Sequence, residues 1–251
     1  MKKRFVNRWL AGFVAAILIL SGGSMVYAET LRVGVDTAFV PFEFKGPDGK
    51  YTGFDVELWD AIAKRLDLEY ELIPMDFNGL IPGLTTGNLD VVLAAIFIKS
   101  AREKAIDFSH PYFRAGLKVM VRSENEDING PEDLKGKVVA VKTGTATVDY
   151  VNTLGAAKIV KFPNIDQAYL EVVTGGADAA MHDTPNVLYY IKTAGQGRVK
   201  AVGADVKAAF YGIGFQQGSE LRDPVNVALL EMMEDGAYDQ LYLKWFGALP
   251  E

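Results

Sequence analysis

Short apolar runs rich in β-branched residues alternate along the chain with segments whose apolar positions recur every three or four residues. Residues 31–35 (LRVGV) read as a strand. Asp55 then stands as an N-cap before a helix that places Val56, Trp59, Ile62, Ala63 and Leu66 on one face. Residues 69–75 form the next predicted strand. Asn78 caps a short helix that carries Leu80, Ile81 and Leu84 and stops at Gly87, and residues 89–96 form a third strand. Ser100-Ala-Arg-Glu103 has capping-box spacing and opens another helix.

The same rhythm returns in the middle of the chain. Strands are predicted at 117–122, 137–141, 158–162, 177–181, 199–202 and 211–215. Helices are predicted at 145–153, from Asn164 to Val173, and at 184–194, and helical periodicity dominates 221–233 and 238–245. Strands alternating with helices imply parallel α/β sheets. No long linker interrupts them, so a division into two units has to fall at short crossings. The loop-like segment 109–116 and the return at 207–211 are the candidates.

The N-terminus stands outside this pattern. Lys2, Lys3, Arg4 and Arg8 precede an apolar run at 10–20, and Val26-Tyr27-Ala28 offers small residues at cleavage positions. This is the three-part pattern of a secretory signal, with cleavage expected after Ala28 and a periplasmic destination. An uncleaved anchor is the alternative, opposed by Ser21, Gly22, Gly23 and Ser24, which dilute the stretch. Removing the four basic residues takes the net charge from −6 to −10. An acidic chain without a basic stripe argues against nucleic acid as a partner. With no cysteine there is neither a disulfide framework nor a thiol for a lipid anchor.

Unusual residues collect at the ends of predicted strands. Asp36 ends the first, Phe77 follows the second, Phe97 ends the third, Lys142 ends the 138–141 run, and His182-Asp183 end the 177–181 run. In open parallel sheets, ligands bind beyond the carboxyl ends of the strands. An acid, aromatics, a lysine, a histidine and another acid would suit a small molecule carrying both charges and a polar tail. Each also has a plainer role. Asp36 can cap the following turn, Phe39 and Phe77 can be core, and Lys142 can be solvated. Lys142 gains weight from the adjoining Thr143-Gly144-Thr145 loop, whose N–H groups open a helix and suit a carboxylate. Arg102 lies in the first turn of its predicted helix, where the macrodipole disfavours a cation by about 0.3–1 kcal/mol, so it calls for an anionic partner. That partner is either a ligand carboxylate or a surface acid such as Glu103. Asp183 can pair with His182 or cap the helix that has Pro185 in its first turn.

Signatures of catalysis are sparse. His110 and His182 are the two histidines, and no GxSxG elbow, P-loop, GxGxxG or HExxH occurs. No cofactor is expected, and two histidines far apart make a dedicated metal site unexpected.

Taken in order, DTAFVPFEFK (36–45), GFDVELWDAIAKRL (53–66), MDFNGLIPGL (75–84), REKAIDFS (102–109), KVVAVKTGT (137–145), FPNIDQAY (162–169), HDTPNVLYYIKTAG (182–195) and AYDQLYLKWFG (237–247) resemble the periplasmic polar amino-acid binding proteins of ABC importers. HDTPN and DTAFVPFEFK are most similar to the glutamine branch. The resemblance implies a two-lobe α/β fold, each lobe a mostly parallel sheet flanked by helices. The large lobe would comprise 29–111 and 212–251, the small lobe 117–206, and the hinge strands 112–116 and 207–211. It further implies a monomer that closes on one amino acid, most simply glutamine, and presents it to an inner-membrane permease. Arg102 would hold the α-carboxylate and Asp183 the α-ammonium. Asp36 and Lys142 would address the side-chain amide, Phe39 and Phe77 would sandwich its stem, and His182 would line the pocket. The backbone of Ala95, Phe97 and Ala146 would complete the polar contacts.

Ala95 and Ala146 stand where the family has glycine, and Phe97 where it has threonine. The lost hydroxyl removes one hydrogen bond to a charged group, worth about 1.5–3 kcal/mol. A primary amide matches Asp36 as acceptor and Lys142 as donor. Glutamate would be repelled by Asp36, whereas arginine or lysine would be repelled by Lys142 unless that lysine swung to solvent. Arginine or histidine is the alternative ligand. The alternative class is a dehydratase-like enzyme with Lys142, His182 or Asp36 as acid or base.

Overall fold

A computed structural model describes residues 30–249, so the signal segment lies outside the described residues. In chain order the elements begin β1 (Leu31–Asp36), β2 (Ala38–Phe39), β3 (Glu43–Lys45), β4 (Tyr51–Thr52), α1 (Phe54–Arg65), β5 (Tyr70–Met75), α2 (Phe77–Thr85), β6 (Val91–Phe97), α3 (Ser100–Glu103) and β7 (Asp107–Phe108). They continue with β8 (Phe113–Arg122), a 3-10 turn (Pro131–Leu134), β9 (Val138–Lys142), α4 (Ala146–Thr153), β10 (Lys158–Phe162) and α5 (Ile165–Val173). The chain then forms β11 (Ala179–Asp183), α6 (Thr184–Lys192), β12 (Val199–Phe215), α7 (Arg222–Glu234) and α8 (Ala237–Phe246).

The strands order as β10-β9-β11-β8-β12-β6-β1-β5, with β7 on β12 and a small separate sheet β2-β3-β4. Parallel pairs occupy both ends, β1 with β5 and β6, and β9 with β10 and β11. The two α/β lobes grow from these ends. Between them β8 and β12 run antiparallel and long, and they tie one end to the other.

Several predicted boundaries shift by a few residues, the N-caps of α2 and α3 are Asp76 and Lys99 rather than Asn78 and Ser100, and two assignments change in kind. The 199–202 and 211–215 strands are one strand of 17 residues, and the predicted loop at 109–116 contains the start of β8. Residues 203–210 are mostly exposed and lack alternation, so their extended form comes from pairing across to β8 rather than from local pattern. Asp55 is not a cap either. Gly53 is the N-cap at φ 131°, where an added Cβ would meet the Phe42 carbonyl oxygen at 2.1 Å. Asp55 sits inside the first turn with its carboxylate fully buried.

An aromatic cluster binds the elements beneath the crossing strands. The buried Phe42 ring lies 5.4 Å from Phe39, 5.0 Å from Phe113, 5.4 Å from Tyr211 and 5.5 Å from Phe246. Such edge and offset contacts each contribute about 0.5–1.5 kcal/mol beyond area burial.

Candidate functional site

Strand ends from both lobes meet in one pocket. It is lined by Asp36, Phe39, Phe77, Ala94, Ala95, Phe97, Arg102, Lys142, Thr145, Ala146, His182 and Asp183. All ten residues singled out from the sequence are therefore together. One wall comes from the ends of β1 and β6 and the starts of α2 and α3. The other comes from the ends of β9 and β11 and the start of α4.

The deepest feature is an ion pair that crosses between the walls. Lys142 Nζ donates to Asp36 Oδ2, and both side chains are 1% exposed. Lys142 therefore does not swing to solvent. Its ammonium also lies 5.5 Å from the Phe39 ring centroid and 5.8 Å from that of Phe77. Asp36 Oδ1 accepts the Ala38 N–H at 3.4 Å, so the capping role and the pocket role coexist. The enclosed space is about 10 Å³, room for about one water. Anything larger enters only by parting the walls.

Arg102 is held differently from the expectation. Its helix is a single turn of four residues, too short for a macrodipole argument. The guanidinium instead donates to the Phe97 carbonyl at 3.0 Å and to the Gly144 carbonyl at 3.3 Å, and stacks 5.5 Å above Phe77. Glu103 takes neither bond. Burial lowers the Arg102 pKa while Asp183 and Asp149 oppose that shift. The group stays a cation, because arginine does not deprotonate in proteins.

Burial raises the Asp183 carboxyl to about 7, opposed by the Tyr211 hydroxyl, Arg102 and Lys142. Tyr211 Oη donates to Asp183 Oδ2 at 2.5 Å. His182 is pushed well below its ordinary value by burial and by Lys142, so it is neutral at pH 7. Its Nδ1 lies 3.4 Å from Asp183 Oδ1, and its ring packs 5.2 Å from Phe39. Asp183 is also the N-cap residue of α6, without a side-chain cap bond.

The Ala95 N–H is already engaged by Asp55 Oδ2 at 2.8 Å, so of the Ala95 backbone only the carbonyl is left for a ligand. Sequence reasoning passed over Ala94, Tyr211 and Asp55. Thr145 reads from the sequence only as part of a loop, whereas its hydroxyl donates to the Lys142 carbonyl at 2.8 Å. Tyr211 carries no local signal, since its role comes from β12 crossing the pocket. Asp55 had one signal: an acid four residues before Trp59 falls on the buried face of its helix.

Further bonds join the walls around the pocket: Thr37 Oγ1 to Asn164 Oδ1 at 3.2 Å, Asn186 Nδ2 to the Val40 carbonyl at 2.5 Å, and Lys99 to Asp149 at 2.7 Å.

A buried cation beside one acid, and a second acid facing a guanidinium, is a constellation for binding a zwitterion. Comparison with known proteins agrees with that geometry. Residues 31–248 match the model of the bacterial extracellular solute-binding proteins, family 3. The chain belongs to this family. The L-cystine-binding protein of Escherichia coli (strain K12) is 33% identical over 222 residues, covering 87% of this chain and 83% of that one. An ancestral arginine-binding protein, solved bound to arginine and bound to glutamine, is 43% identical with TM-scores of 0.83 and 0.84. Those alignments cover 86% and 87% of this chain and 98% of the other. An ancestral amino acid-binding protein described as a precursor of cyclohexadienyl dehydratase is 41% identical, TM-score 0.81, covering 86% and 95%. The protein is thus an amino-acid-binding member of family 3 with the two-lobe fold of its solved relatives.

Proposed function

We propose that the protein captures free L-glutamine between its lobes and delivers it to an inner-membrane ABC permease. The observation that carries the choice of ligand is the Asp36–Lys142 pair, a buried acceptor and donor whose charges cancel. A neutral side chain with both an N–H donor and a carbonyl acceptor can exchange with that pair and leave neither charge unmatched. A cationic side chain would leave Lys142 facing a like charge in a closed site. Arg102 takes the α-carboxylate, Asp183 takes the α-ammonium, and Phe39 and Phe77 flank the stem. Ala95, Phe97, Ala146 and His182 complete the pocket walls.

The lobes we assign are 29–111 with 212–251 and 117–206, hinged at 112–116 and 207–211. A ligand that contacts both lobes shifts the hinge equilibrium toward closure by its differential affinity. The protein acts as a monomer in the periplasm after its leader is removed. Arginine is the second reading, supported by the ancestral arginine-binding relative.

Titration calorimetry against the twenty amino acids tests the choice. Glutamine is expected to bind most tightly and to be recovered unchanged, with Lys142→Ala relaxing selectivity toward arginine. Tighter binding of arginine than glutamine by the wild-type protein would overturn the glutamine reading. Conversion of the ligand on incubation would overturn the transport reading in favour of an enzyme.

A further inference from the structure

Directly behind the pocket lies a pair of carboxyls that ligand binding as described does not use. Glu43 and Asp55 are both fully buried. Asp55 Oδ2 accepts the Ala95 N–H and the Tyr112 hydroxyl, each at 2.8 Å. Neither Glu43 oxygen has a donor among the described residues, and Asp55 Oδ1 has none either. The Asp55 N–H donates to the carbonyl of Phe42 at 2.9 Å, which sets Asp55 beside Glu43, and the two carboxyls interact directly. Two carboxylates there would repel each other, whereas one proton between a Glu43 oxygen and Asp55 Oδ1 partners two of the three donorless oxygens. Tyr112 and Tyr211 stand around the pair, with Asp36 and Lys142 acting at longer range.

The pair also touches two lining elements. Glu43 is registered opposite Phe39 in the β2–β3 hairpin. Asp55 holds Ala95, where the β6 ladder breaks: Gly212 pairs with Ile96, but Gly214 pairs with Val92. The extra β6 residues form a bulge, a device that re-aims a strand beside a site. Ala94 and Ala95 from this bulge line the pocket, and Ala95 holds φ 44°, a left-handed conformation. A bulged N–H has lost its ladder acceptor and needs another. Asp55 provides it.

We propose that Glu43 and Asp55 are positioning residues for ligand binding that share one proton, and that the pair fixes the β6 bulge in the shape that lines the pocket. The proposal rests on the amino-acid-binding reading, but one arm of its test needs no ligand. Infrared spectra of the wild-type protein at pH 7 should contain a protonated-carboxyl band that Glu43→Gln removes. Calorimetry with the tightest-binding amino acid should show Asp55→Asn weakened about tenfold or more, as expected for losing a charge-assisted bond. Glu43→Leu should lose affinity comparably, and Glu43→Gln, which keeps a donor toward Asp55, should recover most of it. Adding Ala95→Gly to Asp55→Asn should restore part of the affinity, because glycine takes the left-handed bulge without help; a purely structural role would leave the two effects additive. The proposal is overturned if no band disappears in Glu43→Gln, if Glu43→Gln binds as weakly as Glu43→Leu, or if Ala95→Gly rescues nothing. Should Asp55→Asn fail to fold, the infrared difference and the two Glu43 variants decide. Failure of the wild type to bind any amino acid would sink the binding reading and leave the infrared arm standing.

Discussion

The Asp183 carboxyl, held at about 7 by burial, ties binding to pH. Only its ionised form attracts an ammonium, so affinity should rise as pH increases through 7 and level off above it. From pH 7.5 to 5.5 the ionised fraction falls about 25-fold, and the association constant should fall by a similar factor. Calorimetry at four pH values checks this; a flat profile would remove Asp183 from the ammonium site. Ala95 makes a second residue-scale prediction. A left-handed non-glycine residue costs about 1–2 kcal/mol, and replacing it with glycine adds about 0.5–1 kcal/mol of unfolded-state entropy. Ala95→Gly should therefore stabilise the protein by roughly 0.5–1 kcal/mol in urea denaturation. Unchanged or lower stability would mean the strain is relieved elsewhere.

At the scale of elements, Phe42 joins the β2–β3 hairpin to α1, β8, β12 and α8 through the rings of Phe54, Phe113, Tyr211 and Phe246. Phe42→Ala should cost about 3–5 kcal/mol, read as a lower urea midpoint. A loss below 1 kcal/mol would show that these elements dock without it. Elements of this kind were legible in the sequence wherever burial imposes a period. The helix α5 begins directly after Asn164, as the sequence predicts, and buries Ile165, Ala168, Tyr169 and Val172 at helical spacing. The pocket was legible for a related reason: its charged residues interrupt apolar runs at the strand ends. What stayed hidden depends on distant partners. The exposed stretch 203–210 is a strand only because β8 lies beside it. Asp55 resembled a cap because its acceptors' partners, Ala95 and Tyr112, are 40 and 57 residues away.

For the whole molecule, the same buried acids that we assign to binding oppose stability as pH rises. Asp183 and Asp55 are each raised from 3.8 to about 7, and Glu43 is raised well above its ordinary value. In the folded protein these groups keep protons that the unfolded chain releases above about pH 4. The unfolded state then binds fewer protons, so unfolding free energy declines between about pH 4 and 7. His182, held well below its ordinary 6.5 by burial and by Lys142, works in the opposite sense below 6.5. Asp90, where Arg32 outweighs burial, does so only below 3.8. One histidine against three raised carboxyls leaves a net decline. Without ligand, the melting temperature should therefore drop between pH 5 and pH 8. Ligand reverses part of that decline, because an ammonium beside Asp183 stabilises its carboxylate and the stabilisation grows as RT ln(1 + [L]/Kd). At one fixed ligand concentration, the ligand-induced rise in melting temperature should thus be larger at pH 8 than at pH 5, opposite in direction to the drift of the free protein. Differential scanning calorimetry at both pH values, with and without ligand, separates the two trends. Parallel pH profiles for the free and loaded protein would mean that the Asp183 carboxyl does not meet the ligand at all, and the closure of the two lobes around a zwitterion would have to rest on Arg102 alone.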